Sequence, residues 1–249
     1  MQNYIKPNWP APKNIIAYTT TRLHEQGKSK PPYNNFNLAM HVDDNLNDVL
    51  QNRAILAKDL HLPNNPCWLK QEHTIDTVKI EKFSEWSDPI ADASYTLENN
   101  LISAVLTADC LPILITDTEG SLVSAIHAGW KGLVAGIIEA AIKALPVQAK
   151  NLIAWMGPAI GPAAFVVGEE VKQQFISFDK TAKIAFKSTV EPNKFWCNIY
   201  LLGKQRLNSV GVHNIYGGEF CTYSDPQKFY SFRRDGVTGR IATLIYKNE

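Results

Sequence analysis

The sequence lacks several features that mark particular classes of protein. Its formal net charge is only +1, with charges of both signs spread along the chain, so a nucleic-acid partner is not expected. No apolar run approaches the roughly 20 residues of a membrane helix, and the N-terminal residues lack the apolar core of a signal peptide. These absences predict a cytoplasmic protein without a membrane partner.

Cysteine and histidine are scarce and widely spaced. The four cysteines form no CxxC pair, and a chain of 249 residues does not need disulfide bonds, so reduced thiols are expected. No two of the six histidines lie two residues apart, whereas a multicopper oxidase needs many histidines in closely spaced pairs. The pattern disfavours copper without excluding it.

The length and hydrophobic content of the chain are those of a folded protein with a substantial core. Hydrophobic residues make up 45% of the chain, and no repeat or low-complexity block divides it, which favours a single domain over residues 1–249. Hairpin patterns mix with helical patterns at irregular intervals, so the predicted fold class is α+β. Strands are predicted over residues 67–73 and 77–83, which places His73 at a strand end.

Two helices are predicted outside the region of residues 107–145. The first spans Leu46 to Leu60, and its predicted buried face contains Leu46, Val49, Leu50, Ala57 and Leu60. Arg53 falls on this face, where it either has a structural partner or reaches a buried acidic ligand. The second helix begins near Glu169 and is expected to bury Val171, Phe175 and Phe178. A loop rich in Gly and Pro, residues 157–168, precedes it and is placed close to the site.

The stretch "TADCLPILITDTEGSLVSAIHAGWKG", residues 107–132, predicts a β-hairpin. Two apolar runs flank a turn at residues 117–120, and pairing Thr116 with Ser121 places Cys110 directly opposite His127. Opposed side chains lie on one face of the sheet, at a separation that suits shared metal ligation. A four-turn helix is predicted next, from Trp130 to Leu145. Its glycines and Lys131 either form an anion site beside His127 or serve only close packing.

Two kinds of chemistry fit this hairpin. Cys110 with histidines offers a zinc site with three protein ligands and an open position for water. Alternatively, Cys110 is a thiolate nucleophile and His127 its base, and spacing does not separate the two. Asp109 beside the cysteine is a candidate to orient a ligand or move a proton.

The chain resembles the YfiH family, also called the laccase-domain or polyphenol oxidase family and associated with purine nucleoside phosphorylase activity. The resemblance rests on the hairpin stretch and on four further segments: residues 33–56, "KQEHTIDTV" (70–78), "GPAIGPAAFVVGEEV" (157–171) and "CTYSDPQKFYSFRRDGVTGRIATLI" (221–245). It implies a mixed β-sandwich surrounded by helices. It also implies zinc bound by His73, Cys110 and His127.

The resemblance further implies an activity and a set of substrate contacts. The expected activity is zinc-dependent phosphorolysis of purine nucleosides, together with adenosine deamination and use of methylthioadenosine. Asn37, His41 and Arg53 match family-typical positions and are expected to contact substrate. Arg233 and Arg234 either bind phosphate as planar forks or form a structural ion-pair node. A cysteine-type hydrolase or peptidoglycan-editing factor acting on cell-wall precursors remains the alternative, as does a polyphenol oxidase.

Overall fold

Strands and helices alternate irregularly along the computed structural model, which describes residues 3–81 and 88–249. The strands are β1 (Tyr4–Ile5), β2 (Ile15–Thr20), β3 (Thr77–Lys79), β4 (Ala93–Thr96), β5 (Ser103–Thr107), β6 (Leu111–Asp117), β7 (Val123–Ala128), β8 (Leu152–Met156), β9 (Val166–Gly168), β10 (Phe186–Ser188), β11 (Lys194–Cys197), β12 (Asn214–Gly217) and β13 (Ile241–Lys247). The helices are α1 (Leu46–Asp59), α2 (Trp130–Ala135), α3 (Ile137–Ala144), α4 (Glu169–Phe178), α5 (Ile199–Ser209) and α6 (Phe232–Asp235). Short 3-10 helices lie at Ala149–Asn151 and Lys180–Ala185. The predicted mixture of helices and sheets is confirmed.

The strands of the described residues form three sheets. The largest has the order β12-β8-β6-β7-β4-β3, with β12 parallel to β8, β3 parallel to β4, and the other pairs antiparallel. An antiparallel sheet has the order β1-β2-β13-β5, and a smaller one the order β10-β11-β9. The β6–β7 hairpin therefore occupies the centre of the largest sheet.

The two larger sheets share a buried core. Leu114 and Trp155 of the six-stranded sheet belong to the same apolar cluster as Val105 and Ile245 of the four-stranded sheet. On its other face, the six-stranded sheet packs against α2, α3 and α5, while α1 covers the outer face of the four-stranded sheet. Every residue of β6 and β7 is buried, because both faces of their sheet are covered. Such double coverage explains the nearly continuous apolar sequence of the hairpin.

The hairpin exists as predicted, but the predicted register was wrong by two residues. Pro112, not Cys110, lies opposite His127. The chain reverses over six residues rather than four, because the Asp117 carboxylate accepts hydrogen bonds from the Ser121 backbone N–H at 2.6 Å and from its hydroxyl at 2.8 Å. A shift of two residues leaves each side chain on its predicted face. Cys110, just before β6, consequently still approaches His127.

The helix predicted after His127 is interrupted. Gly136 has φ 102° and separates α2 from α3. This left-handed conformation is easy for glycine and commonly ends a helix. Leu133 before the break and Ile137 after it are both fully buried. The apolar pattern therefore continues across the break, which is why the sequence predicts a single helix.

The other two predicted helices form, but their buried faces differ in part from the prediction. Leu46 and Leu50 of α1 are 50% and 47% exposed, while Asn52 is fully buried and bonds to backbone groups of neighbouring loops. Phe178 ends α4 and is 60% exposed, with the Arg206 guanidinium 3.6 Å from its ring centre. On α1 the difference arises because Asn52, a polar side chain with several partners, occupies a core position.

The segment before the hairpin contains less strand than predicted. Residues 67–73 form only isolated bridges at Cys67 and Lys70. Of the predicted strand 77–83, β3 covers the first three residues, and residues 82–83 lie outside the described part of the chain. No described helix has the length and apolar character needed to cross a membrane.

Candidate metal centre and its pocket

Three side chains from distant parts of the sequence converge beside the hairpin. His73 lies in the loop before β3, Cys110 directly before β6, and His127 in β7, and one ligand atom from each lies within 4.8 Å of the others. The Cys110 Sγ is 3.7 Å from the His73 Nε2, and the two imidazole rings meet edge-on with centres 4.9 Å apart. Within residues 3–81 and 88–249 this is the one cluster of three or more such groups.

Asp92 holds both histidine segments in place. Its fully buried carboxylate lies 2.7 Å from the Nδ1 of His127 through Oδ1. The other oxygen accepts hydrogen bonds from the Thr74 backbone N–H at 2.6 Å and from its hydroxyl at 3.0 Å, next to His73. Because Nδ1 of His127 is engaged, its Nε2 is left to bind a metal. Sequence reasoning missed Asp92, although an aspartate inside the small and apolar stretch "PIADAS" signals a buried carboxylate that needs a partner.

Gly129 brings the backbone close to the cluster. A Cβ at this position would lie 2.7 Å from Cδ2 of His73 and 3.0 Å from Sγ of Cys110. Only glycine fits without displacing a ligand, so the glycine in "HAGW" is explained by this close approach. The α2 helix that it caps has only six residues, and Lys131 on that helix is exposed.

The cluster is strongly coupled electrostatically. Burial disfavours the Cys110 thiolate, but the charges and hydrogen bonds of His127 and His73 outweigh burial and lower the pKa of the thiol. Burial likewise disfavours the charged form of His127, but the Cys110 thiolate and Asp92 raise its pKa. The pKa of Asp92 is lowered, because His127 and Thr74 outweigh the effect of burial. A thiolate beside an imidazole whose other nitrogen faces a carboxylate is suited both to metal ligation and to nucleophilic attack.

The donor set fits a zinc ion. Two imidazole nitrogens and one thiolate are borderline and soft ligands, and three protein ligands leave one tetrahedral position free for water or substrate. The carboxylate on Nδ1 of His127 is the partner that histidine ligands of metals usually have. The contact with Gly129 leaves no room for a side chain beside the ligands.

A pocket of about 450 Å³ opens onto the cluster, within the usual size range for small-molecule sites. Its lining residues are His41, Gln71, His73, Leu106, Thr107, Ala108, Asp109, Cys110, His127, Trp130, Ile160, Phe165, Ile199, Phe232, Arg233 and Arg240. Apolar and aromatic side chains are combined with cationic ones. Ile160 and Phe165 come from the 157–168 loop, so this loop borders the pocket.

Asp109 lines the pocket, but its carboxylate is occupied by hydrogen bonds. Oδ1 accepts from the Thr222 hydroxyl at 2.6 Å, and Oδ2 accepts from the Ser231 hydroxyl at 3.0 Å and the Arg233 backbone N–H at 2.7 Å. These contacts join the start of β6 to two segments near the C-terminus. Through these contacts, Asp109 positions the wall of the pocket beside Cys110.

The two adjacent arginines differ in their surroundings. Arg233 lines the pocket, is exposed, and donates a hydrogen bond of 2.7 Å to the carbonyl of Val166. Arg234 lies outside the pocket lining and donates to three backbone carbonyls and to the carboxylate of Asp235. Arg234 therefore forms a structural node, and Arg233 is the one of the pair that faces the pocket.

The other expected substrate contacts are dispersed. His41 lines the pocket. Asn37 is fully buried outside the lining, where it bonds to an aspartate and to backbone groups. Arg53 donates from Nε to a carbonyl 2.9 Å away, and its guanidinium lies 4.1 Å from the ring centre of a tryptophan. Neither Arg53 nor Lys131 belongs to the pocket lining.

Sequence reasoning missed several pocket residues. Gln71 joins the His73 loop to β5 by hydrogen bonds of 2.9 and 2.8 Å with the backbone of Leu106. Trp130 and Arg240 also line the pocket, whereas the sequence places Trp130 only in a helix and Arg240 only in the family-typical segment 221–245. No local pattern distinguishes these residues, because their neighbours in space lie far away in sequence.

These features define a class of protein in which two sheets share a core and a His–Cys–His cluster lies in a pocket beside the central hairpin. Residues 16–248 match the model of the multi-copper polyphenol oxidoreductase laccase family. The chain belongs to this family.

Curated relatives and solved structures agree with this membership. The chain is 45% identical over 243 residues to a purine nucleoside phosphorylase of Haemophilus influenzae, covering 97% of this chain and 98% of the relative. It is 43% identical over 246 residues to purine nucleoside phosphorylase YfiH of Escherichia coli strain K12, covering 99% of each chain. A crystal structure of a Neisseria meningitidis protein superposes with a TM-score of 0.94 at 38% identity, covering 100% of both chains. The YlmD structure from Geobacillus stearothermophilus gives 0.89 at 26% identity, covering 100% of this chain and 97% of that one.

Proposed function

We propose that this chain is a zinc-dependent purine nucleoside phosphorylase that also deaminates adenosine and accepts methylthioadenosine. The observation that carries the proposal is the His73, Cys110 and His127 cluster in a pocket of nucleoside-compatible size. The names of relatives that align over nearly the whole chain support the same activity.

The pocket has side chains suited to the purine base of a nucleoside and side chains suited to phosphate. Trp130, Phe165 and Phe232 offer aromatic faces that suit a purine base. Arg233 and Arg240 supply positive charge for phosphate, which attacks the anomeric carbon as the base departs. Bound zinc would supply an acidic water, suited to attack on the purine carbon that carries the amine. Asp92 would hold His127 with its Nε2 free for ligation.

A cysteine-type hydrolase acting on cell-wall precursors is the second candidate. The observation in its favour is the chain of contacts from Cys110 through His127 to Asp92, which also resembles a nucleophile, a base and an orienting carboxylate. A polyphenol oxidase is the third candidate, and the family description names this chemistry. The single His–Cys–His cluster of the described residues does not favour it over zinc chemistry.

The experiment is a chromatographic assay of purified protein with adenosine and phosphate, with metal content measured in parallel. Cys110→Ala should abolish formation of adenine and inosine. Cys221→Ser serves as the matched control, because Cys221 lies outside the cluster. The Cys221 sulfur accepts a hydrogen bond from the Gly161 N–H, and the serine hydroxyl can accept the same bond. The control should retain activity.

Chelation separates the candidates. Loss of product on chelation and its return with zinc would support the phosphorylase. Turnover of cell-wall precursors that persists after chelation would support the cysteine hydrolase instead. If zinc is present and neither nucleoside product forms at high protein concentration, the proposed function is wrong.

A further inference from the structure

Arg240 lines the pocket with a guanidinium whose donors are only partly used. Its Nη1 donates to the carbonyls of Thr238 at 2.7 Å and Gly239 at 3.0 Å, and its backbone N–H donates to Oδ1 of Asn37 at 2.9 Å. Within residues 3–81 and 88–249, it forms no ion pair, and its Nε and Nη2 have no acceptor. The guanidinium is therefore fixed in orientation, with part of its donor set free for an anionic ligand.

Thr107 provides a second, independent sign of a missing ligand. It lines the same pocket, it is 1% exposed, and its hydroxyl has no hydrogen-bond partner in the described part of the chain. In the β5–β13 ladder, Thr107 pairs with Ile241, the residue after Arg240, so both residues lie at the same end of that ladder. Buried hydroxyls without a partner are rare, and a bound acceptor removes the cost of leaving one unpaired.

We propose that Arg240 and Thr107 form the subsite for inorganic phosphate in this pocket, an inference that rests on the proposed phosphorylase function. Two guanidinium donors suit two oxygens of a phosphate, and the threonine hydroxyl suits a third. The subsite lies in the pocket that contains the His–Cys–His cluster, so phosphate and nucleoside share one chamber.

Arg240 suits this role better than the other basic groups near the pocket. Arg233 is exposed at the pocket, whereas Arg240 is half-buried. A charge that is partly removed from water interacts more strongly with a bound anion. Lys131 lies outside the pocket lining.

The test compares Arg240→Gln, Arg240→Lys and Thr107→Val with the parent zinc-loaded protein. Lys143→Gln is the charge-matched control, because Lys143 is an exposed residue of α3 outside the pocket. The KM for phosphate is measured at saturating nucleoside, and direct binding of inorganic phosphate is measured by phosphorus NMR line broadening. Thermal unfolding is followed for every variant.

We expect Arg240→Gln to raise the KM for phosphate about tenfold or more, because a hydrogen bond to a charged group is lost. Arg240→Lys should recover part of this loss. Thr107→Val should raise the KM for phosphate about three- to tenfold while Tm stays constant or rises, since the hydroxyl has no partner among the described residues to lose. The KM for nucleoside should stay within about twofold of the parent value, as expected for a lost phosphate contact alone.

Different outcomes distinguish failure of this inference from failure of the proposed function. If the parent phosphorolyses nucleosides and neither Arg240→Gln nor Thr107→Val weakens phosphate binding, the subsite is wrong while the function stands. If the parent has no phosphorylase activity but binds inorganic phosphate, and both variants weaken that binding, the anion subsite stands without that function. If adenosine monophosphate binds through Arg240 and inorganic phosphate does not, the site takes a phosphate ester and the inference is overturned.

Discussion

Replacing Asp92 by Asn should remove metal affinity through the orientation and tautomer of His127. The carboxylate accepts from both sides: Oδ1 lies 2.7 Å from Nδ1 of His127, and Oδ2 accepts from the Thr74 N–H at 2.6 Å. Asparagine has only one acceptor oxygen, so it cannot serve both donors. If the oxygen remains with Thr74, the amide NH2 faces Nδ1, and the imidazole proton must move to Nε2. The nitrogen intended for the metal would then lack a free lone pair.

The size of the effect follows from the contacts that are lost. Loss of one buried hydrogen bond to a charged group costs about 1.5–3 kcal/mol. In a chain of this length, 2 kcal/mol corresponds to a fall in Tm of roughly 4–8 °C. Changing the partner of a metal-binding histidine typically weakens metal binding about 10- to 100-fold. The two effects should appear together.

The assay is zinc affinity by competition with a chromophoric chelator, with Tm measured on the same samples. Asp117→Asn is the matched control, because Asp117 is also a buried carboxylate that accepts two backbone N–H groups, but it lies in the β6–β7 turn. The control should lose stability and keep its zinc affinity. A folded Asp92→Asn protein that binds zinc as tightly as the parent would refute the reasoning.

Three further predictions follow from the same geometry. Gly129→Ala should reduce the zinc retained by the protein about tenfold or more, because the new Cβ would lie 2.7 Å from His73 and 3.0 Å from Cys110. A variant that retains as much zinc as the parent in metal analysis would contradict this close approach. A chelator should lower the Tm of the parent by the equivalent of about 2.7 kcal/mol where zinc had been at 100 times its Kd, and should leave Cys110→Ala nearly unchanged in differential scanning calorimetry. Arg234→Gln should lower the free energy of unfolding by about 2–3 kcal/mol, because it loses bonds to three carbonyls, whereas Arg233→Gln should mainly impair turnover. Equal Tm values for these two variants would contradict their distinction.

Local sequence patterns were sufficient to predict several helices and strands. The apolar runs of the hairpin, the 3.6-residue periodicity near residues 46–60 and the start of the helix at Glu169 all correspond to observed elements. These patterns are readable because the side-chain periods of strands and helices are fixed by backbone geometry. The ordered set of motifs identified the family and, through it, the three candidate ligands His73, Cys110 and His127.

Contacts between residues that are distant in sequence could not be predicted from such patterns. The turn formed by Asp117 moved the hairpin register by two residues, and Gly136 divided a helix whose apolar pattern continues unbroken. The roles of Asp92, Thr107 and Arg240 depend on contacts between separate strands and loops. Asp92 contacts His127, while Thr107 and Arg240 line the same pocket, where the Thr107 hydroxyl has no partner among the described residues. Periodicity records which side of an element faces the core, but it carries no information about the residue that lies opposite. The arrangement of this pocket therefore follows from packing and hydrogen bonding between segments that are far apart in sequence.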